Sequence, residues 1–156
     1  MRWRDIGDTT CSVARSLSVV GDRWALLILR EAFLRTRRFE DFQTRIGMTR
    51  HRLSARLRKL VEHGVFEKVR YQEKPARYEY RLTQKGLDLY PVIVALLGWG
   101  DRWMPAAEGP AVALMHRECG RQVTPRLVCP DCGQAVSARD TVARVRPMFR
   151  KEHRHD

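Results

Sequence analysis

His116, Cys119, Cys129 and Cys132 form two pairs, each with two residues between its members, and nine residues separate the pairs. That two-residue spacing lets both members of a pair turn onto one ion, and tetrahedral zinc takes four such soft or borderline donors. Gly120 and Gly133 each follow a cysteine directly and supply the tight turn. The pattern predicts a structural zinc ion, because four protein ligands leave no open position for water. Such a metal would add on the order of 10 kcal/mol of folding free energy to a module with almost no core. Cys129-Pro130-Asp131-Cys132-Gly133 stands by itself as a metal-binding turn, whereas the first pair needs His116 as a ligand. A Cys119–Cys129 or Cys119–Cys132 disulfide, or free thiols, are the other readings of the same residues.

Catalytic chemistry finds no comparable constellation. His51, His63, His116, His153 and His155 have no nucleophile or paired carboxylate at motif spacing, and no glycine-rich phosphate loop is present. The chain is therefore not expected to be an enzyme.

The third kind of chemistry is charge. Lys and Arg number 30 against 18 acidic residues, a net of +12. The excess is concentrated: residues 35–81 carry 14 basic and 6 acidic side chains, net +8, while 1–34 net +1, 82–111 net −1 and 112–156 net +4. A basic block between near-neutral flanks is the footprint of a polyanion-binding surface.

The elements that must present this charge are legible in the apolar spacing. Val13, Leu17 and Val20 recur at helical intervals until Gly21, and Asp22 is an N-cap for a second helix carrying Trp24, Leu27, Ile28 and Glu31. After a turn over Arg35 to Arg38, Phe39, Phe42 and Ile46 make a short third helix closed by Gly47. Thr49 caps a fourth helix that ends at Gly64. Its apolar stripe is Leu53, Leu57, Leu60 and Val61, and everything else on it is polar or basic. Val65 to Tyr71 and Ala76 to Leu82 read as two strands joined by Gln72 to Pro75, with Tyr78 and Tyr80 as core-facing residues. Thr83 then caps a longer helix through Leu87, Tyr90, Ile93, Leu96, Leu97 and Trp99, which Pro91 must kink or break.

Short helices followed by a hairpin form a mainly α, winged helix-turn-helix arrangement (α+β), with a small zinc-ribbon-like C-terminal module. A helix fits the major groove of B-DNA but must be held there by a second helix packed across it. Arg38 to Ile46 would be the support and Thr49 to His63 the reader. Thr49, Arg50, His51 and Ser54 lie near the reader's start, where base edges are deepest. Arg52, Arg56, Arg58 and Lys59 flank them, to touch phosphate or simply to face solvent; Arg38 is a further DNA-binding candidate, and Lys74 and Arg77 belong to the wing. A zinc-ribbon-bearing RNA-binding module is the alternative, which the core placement of Tyr78 and Tyr80 disfavours because RNA binders present stacking aromatics on an open sheet face.

These residues also resemble a known family. Cys11-Ser12-Val13-Ala14-Arg15, Gly21-Asp22-Arg23-Trp24 and Leu26 to Glu31 resemble the opening of HxlR-type regulators, relatives of the MarR group. Arg37-Arg38-Phe39 with Phe42 is similar to that family's support helix, and Leu53-Ser54, Arg56-Leu57 and Leu60 to its recognition helix. Pro75 to Thr83 with Gly86 matches its wing and wing-helix junction, and Pro91 and Trp99-Gly100 fall at family positions. Ser12 departs from it, standing where a proline is usual. The resemblance spans about 11–100. It implies a homodimeric transcription regulator on double-stranded DNA, joined through the first helix and the helix around 84–104. Repression is the expected sign, since a dimer across a promoter blocks polymerase. A small-molecule effector is a further implied partner.

The resemblance gives Cys11 a role as a sensor of oxidants or electrophiles. A helix N-terminus and Arg15 one turn on would both favour the thiolate. A small buried residue packing between helices is the competing reading.

The expected organisation is a DNA-binding and dimerisation domain over 1–104, a linker over 105–111, the zinc-ribbon-like module over 112–147 and a polar tail over 148–156. Val92 to Leu97 is the longest apolar stretch, far short of the roughly 20 residues needed to span a bilayer. With no leader visible at Met1 to Asp5, the protein is expected in the cytoplasm. The sequence shows no internal repeats by inspection.

Overall fold

In the computed structural model, residues 3–147 are described. The tail expected over 148–156 lies outside them. The described residues divide into two compact units, 3–93 with 146–147, and 94–145.

The first unit begins with a 3-10 turn, Trp3–Asp8, followed by α1 (Ser12–Val20), α2 (Arg23–Phe33), α3 (Phe39–Ile46) and α4 (Arg50–Glu62). The hairpin β1 (Phe66–Gln72) and β2 (Arg77–Leu82) comes next, then the single turn α5 (Gln84–Leu87). The last helix, α6 (Tyr90–Trp103), starts in this unit. The expected break falls just before Pro91, where α5 gives way to α6 and the missing proline N–H is harmless in a first helical turn.

Asp22 caps α2 as its position predicts, accepting from the Trp24 amide at 2.8 Å. Thr49 occupies the cap of α4 with extended backbone, but its side chain makes no capping hydrogen bond. Gly47 and Gly64 adopt left-handed φ of 72° and 68°, the conformation that ends α3 and α4.

The core lies where the apolar stripes meet. Ile28 and Leu29 of α2, Phe42 of α3, and Leu53 and Leu57 of α4 are fully buried, with Val65 and Phe66 closing the floor at the foot of the wing. Phe42 and Phe66 meet edge to face, their centroids 6.3 Å apart. Glu31 is buried as well, and its carboxylate is held by Arg30 at 2.8 Å and by the Thr36 hydroxyl at 3.3 Å, so its charge is paired.

The hairpin pairs antiparallel from Phe66↔Leu82 to Gln72↔Arg77, with an irregularity between Arg70 and Gln72. A further pairing was not apparent from the residues alone. The segment read as a turn, Arg35 to Arg38, lies beside β2, with Arg38 bridging Glu79 and the Tyr80 amide donating to the Arg37 carbonyl at 2.8 Å. The wing is thereby fixed to the start of α3. At its exit, the Thr83 hydroxyl donates to the Gly64 carbonyl at 2.6 Å, and Lys85 Nζ donates to the carbonyl of His63 at the end of α4.

In the second unit, α6 continues to Trp103, and the rest is turns and two isolated antiparallel bridges, Met115↔Gln122 and Val128↔Ala135. Among the described residues, no helix is long and apolar enough to cross a membrane.

Candidate nucleic-acid interface

The Leu53, Leu57 and Leu60 side of α4 is consumed by the core, which fixes where its other faces point. At 100° per residue, Arg50 and Ser54 fall on one flank of that stripe and Arg56 on the other. The two flanks meet different surroundings.

On the first flank, Arg50, His51 and Ser54 line a cleft of about 960 Å³ together with Arg38, Phe39, Glu40 and Asp41 of the support and Lys68, Tyr71, Arg77, Tyr78 and Tyr80 of the wing. Aromatic rings hold three of the cations in place. Arg50 lies over Phe39 at 4.9 Å, Arg38 over Tyr71 at 5.0 Å and Lys68 over Tyr78 at 4.3 Å. A cation over a ring face is attracted by the ring quadrupole, worth about 0.5–1 kcal/mol at exposed sites. The Tyr80 hydroxyl is pushed above its ordinary pKa, first by burial and then by the nearby Glu40 carboxylate.

On the second flank, Arg56 pairs with Asp22 at 2.6 Å, and Lys59 donates to the Ser18 carbonyl at 2.7 Å. Both cations are thus turned to α1 and the start of α2. Arg56, expected among the phosphate contacts, is not brought to the cleft. Its spacing along α4 puts it beside Leu60 and within reach of the cap of α2.

The remaining candidates are exposed. Arg52 and Arg58 lie on the outward face of α4, Thr49 at its cap and Lys74 at the hairpin tip, outside the cleft lining. The tip is ordered by Arg70, whose guanidinium donates to the Glu73 carbonyl at 2.9 Å, and by Gln72, which donates to the Lys74 carbonyl at 3.1 Å.

One wing residue differs from expectation. Tyr80 packs against the core, but Tyr78 is exposed and carries Lys68, so only one of the two tyrosines is a core residue. The outer half of the hairpin simply extends past the core that would have covered it. Lys68 itself was not singled out, although the hairpin register sets it opposite Tyr80.

Cys11 occupies the N-cap position of α1 and is half-buried. Arg15, expected to act on its thiol, instead donates to the carbonyls of Thr9 and Thr10 at 2.9 and 2.8 Å and to the Ser12 hydroxyl at 3.1 Å. In the second unit, His116 Nδ1 stands 3.3 Å from Cys119 Sγ. The Cys129 thiol is held below its ordinary pKa by the backbone N–H of Cys132, then that of Asp131, then the Cys132 side chain. All four cysteines are free thiols, and among the described residues no three metal-capable side chains converge on one point.

Comparison with known proteins agrees with this geometry. The model of the HxlR-like helix-turn-helix family matches residues 19–108. A protein of Mycobacterium tuberculosis, named an uncharacterized HTH-type transcriptional regulator, is 48% identical over 139 residues, 89% of this chain and 88% of its own. A Bacillus subtilis regulator of the same description, YdeP, is 31% identical and covers 60% of this chain and 73% of its own. Among solved structures, a candidate transcription factor, PA1607, aligns with a TM-score of 0.78 at 40% identity, covering 88% of this chain and 96% of its own. The redox regulator HypR in its reduced form aligns at 0.56 and 27% identity over 59% of this chain and 92% of its own. The likenesses to the Mycobacterium protein and to PA1607 are too long to end at residue 108, so part of the C-terminal unit is shared with them.

Proposed function

Since the chain belongs to the HxlR-like helix-turn-helix family, whose members compared here are transcriptional regulators and not enzymes, we propose that it binds an inverted-repeat operator as a homodimer and represses the adjoining promoter. The observation that carries this reading is the division of cations on α4. Arg50 faces a cleft shared with Arg38, Lys68 and Arg77, while Arg56 and Lys59 are spent on internal partners. The first turn of α4 enters the major groove with Thr49, Arg50, His51 and Ser54 toward base edges, and Arg38, Arg52 and Arg58 meet phosphate. The wing, with Lys74 at its tip and Arg77 beside the cleft, follows the adjacent backbone.

The dimer would form on apolar faces that this chain leaves uncovered. On α6, Val92, Leu96, Trp99 and Trp103 recur at intervals of four, three and four, one face of a helix, and are 45–61% exposed. Val13 and Leu17 of α1 are exposed too. An unbroken stripe with two tryptophans is the composition of an obligate interface rather than of a solvated surface. Two copies related by a twofold axis would set their reading helices about 34–36 Å apart, one turn of duplex.

Cys11 is the residue through which an oxidant or electrophile would act on this regulator, as the redox-regulator description of the HypR neighbour suggests by likeness. Operator release by an electrophile should then be lost in Cys11→Ser. The cleft-lining reading is tested by fluorescence anisotropy on palindromic duplexes. Arg50→Ala should cost about 1–3 kcal/mol and relax specificity at one base position. Equal loss on every duplex, or a preference for single strands, overturns the groove assignment.

A further inference from the structure

The second unit contains a repeat that its amino acids conceal. Residues 114–123 and 127–136 form the same turn twice, thirteen positions apart. In the first, the His116 amide donates to the Arg121 carbonyl at 2.9 Å, the Gly120 amide to the His116 carbonyl at 2.8 Å, and the Val123 amide to the Leu114 carbonyl at 2.7 Å. In the second, Cys129 donates to Gln134, Gly133 to Cys129, and Val136 to Leu127, all at 2.8 Å. The bridges Met115↔Gln122 and Val128↔Ala135 occupy matching places, and Gly120 and Gly133 take left-handed φ of 65° and 71°. His116 therefore stands where Cys129 stands, and Cys119 where Cys132 stands.

From this equivalence we infer that the two turns are the halves of one zinc site, with His116, Cys119, Cys129 and Cys132 as its four ligands and one ion per chain. Each turn already presents its two donors together. With zinc–nitrogen and zinc–sulfur bonds of about 2.0–2.1 and 2.3 Å, a tetrahedral edge is about 3.5 Å long, and His116 Nδ1 lies 3.3 Å from Cys119 Sγ. The ring nitrogen turned to the sulfur is Nδ1, which makes it the ligating atom. By the same backbone path, Cys132 stands to Cys129 as Cys119 stands to His116. The two halves stand apart, and the ion is what would draw them onto one point. Three thiolates and an imidazole select zinc among the common divalent ions.

The need for such a link is visible in the packing. No described residue between 105 and 145 is buried. A segment of that size without a core relies on a disulfide or a metal to stay folded, and its three cysteines are all free. The Cys119–Cys129 and Cys119–Cys132 disulfides would each take two donors away from this set. No open position is left on the ion, so its part is structural.

The test uses the full-length reduced protein, stripped with a chelator and reloaded with zinc alone, followed by elemental analysis after desalting. One zinc per chain is expected, with Cys119, Cys129 and Cys132 protected from alkylation while Cys11 still reacts. His116→Ala should lose zinc to a competing chelator at a concentration that leaves both the wild type and His116→Cys loaded, because cysteine at 116 reproduces the second turn in the first. Cobalt in place of zinc should show tetrahedral ligand-field bands with thiolate charge transfer. Zinc held equally tightly by His116→Ala, no zinc at all, or one ion per two chains would each overturn the inference. Duplex binding by the same samples reports separately on the winged-helix unit, so failure of the metal site and failure of the DNA reading are distinguishable.

Discussion

Residues 12–93 and residues 105–145 keep their shape by different means. The first region buries Ile28, Leu29, Phe42, Leu53 and Leu57 completely, and its hydrogen bonds run within helices and a hairpin. The second buries no described side chain and is drawn by short backbone bonds across paired turns. In the first region, apolar periodicity decides the structure and leaves the cations over for function. In the second, the polar and sulfur-bearing residues must carry the structure themselves, so the same kind of substitution acts on different properties in the two places.

Removing an apolar side chain from each region measures that difference most directly. Phe42→Ala should cost about 3–5 kcal/mol, because a fully buried ring leaves a cavity between α3 and the foot of the wing. Leu127, 74% exposed, should cost no more than about 0.5 kcal/mol when replaced by alanine. Denaturant unfolding followed by circular dichroism reads both, and similar losses would break the contrast.

Glycine substitutions sharpen it further. A Cβ at Gly86 would lie 2.3 Å from the Val65 carbonyl, where α5 crosses the base of the wing. Gly86→Ala must push these elements apart, at about 1–3 kcal/mol, and should loosen the wing and weaken duplex binding with it. At Gly133 nothing lies within 4 Å of a Cβ, and only the left-handed φ of 71° opposes alanine. The cost there is conformational alone, about 1–2 kcal/mol, and duplex binding should be untouched.

This contrast also explains what could be read from the amino acids. The helices, the hairpin and the break before Pro91 follow from Leu53, Leu57 and Leu60 at helical spacing, from alternation around Tyr80, and from the missing proline N–H. The destination of Arg56 does not follow, because it depends on which neighbouring element meets each flank of α4. Likewise the exposure of Tyr78 depends on where the core ends along a regular strand, and the bridge from Arg38 to Glu79 joins residues far apart in sequence. The repeated turn is hidden in the amino acids for another reason. Between its two copies only Leu114/Leu127, Cys119/Cys132, Gly120/Gly133 and Val123/Val136 are identical, and histidine at 116 stands where cysteine stands at 129. Its regularity resides in backbone hydrogen bonds.

Within the first region, one ion pair separates structural from functional charge. Asp22 both caps α2 and binds Arg56, so Asp22→Ala should cost about 1–2 kcal/mol, most of it from the lost cap. Arg56→Met should cost less than about 1 kcal/mol. The ion pair is partly exposed, with side-chain exposures of 39% and 32%, and pairs of that kind contribute little. Arg56 Nε is also buried without a hydrogen-bond partner, a penalty that methionine removes while its chain still fills the space beside Leu60. A cation spent in this way adds nothing to phosphate neutralisation. The salt dependence of duplex binding should therefore be unchanged in Arg56→Met, whereas Lys74→Ala at the exposed tip should flatten it by about one phosphate's worth. A flattening in Arg56→Met equal to that in Lys74→Ala would show that the Asp22 pair opens on DNA, and that the two flanks of α4 are not divided in function.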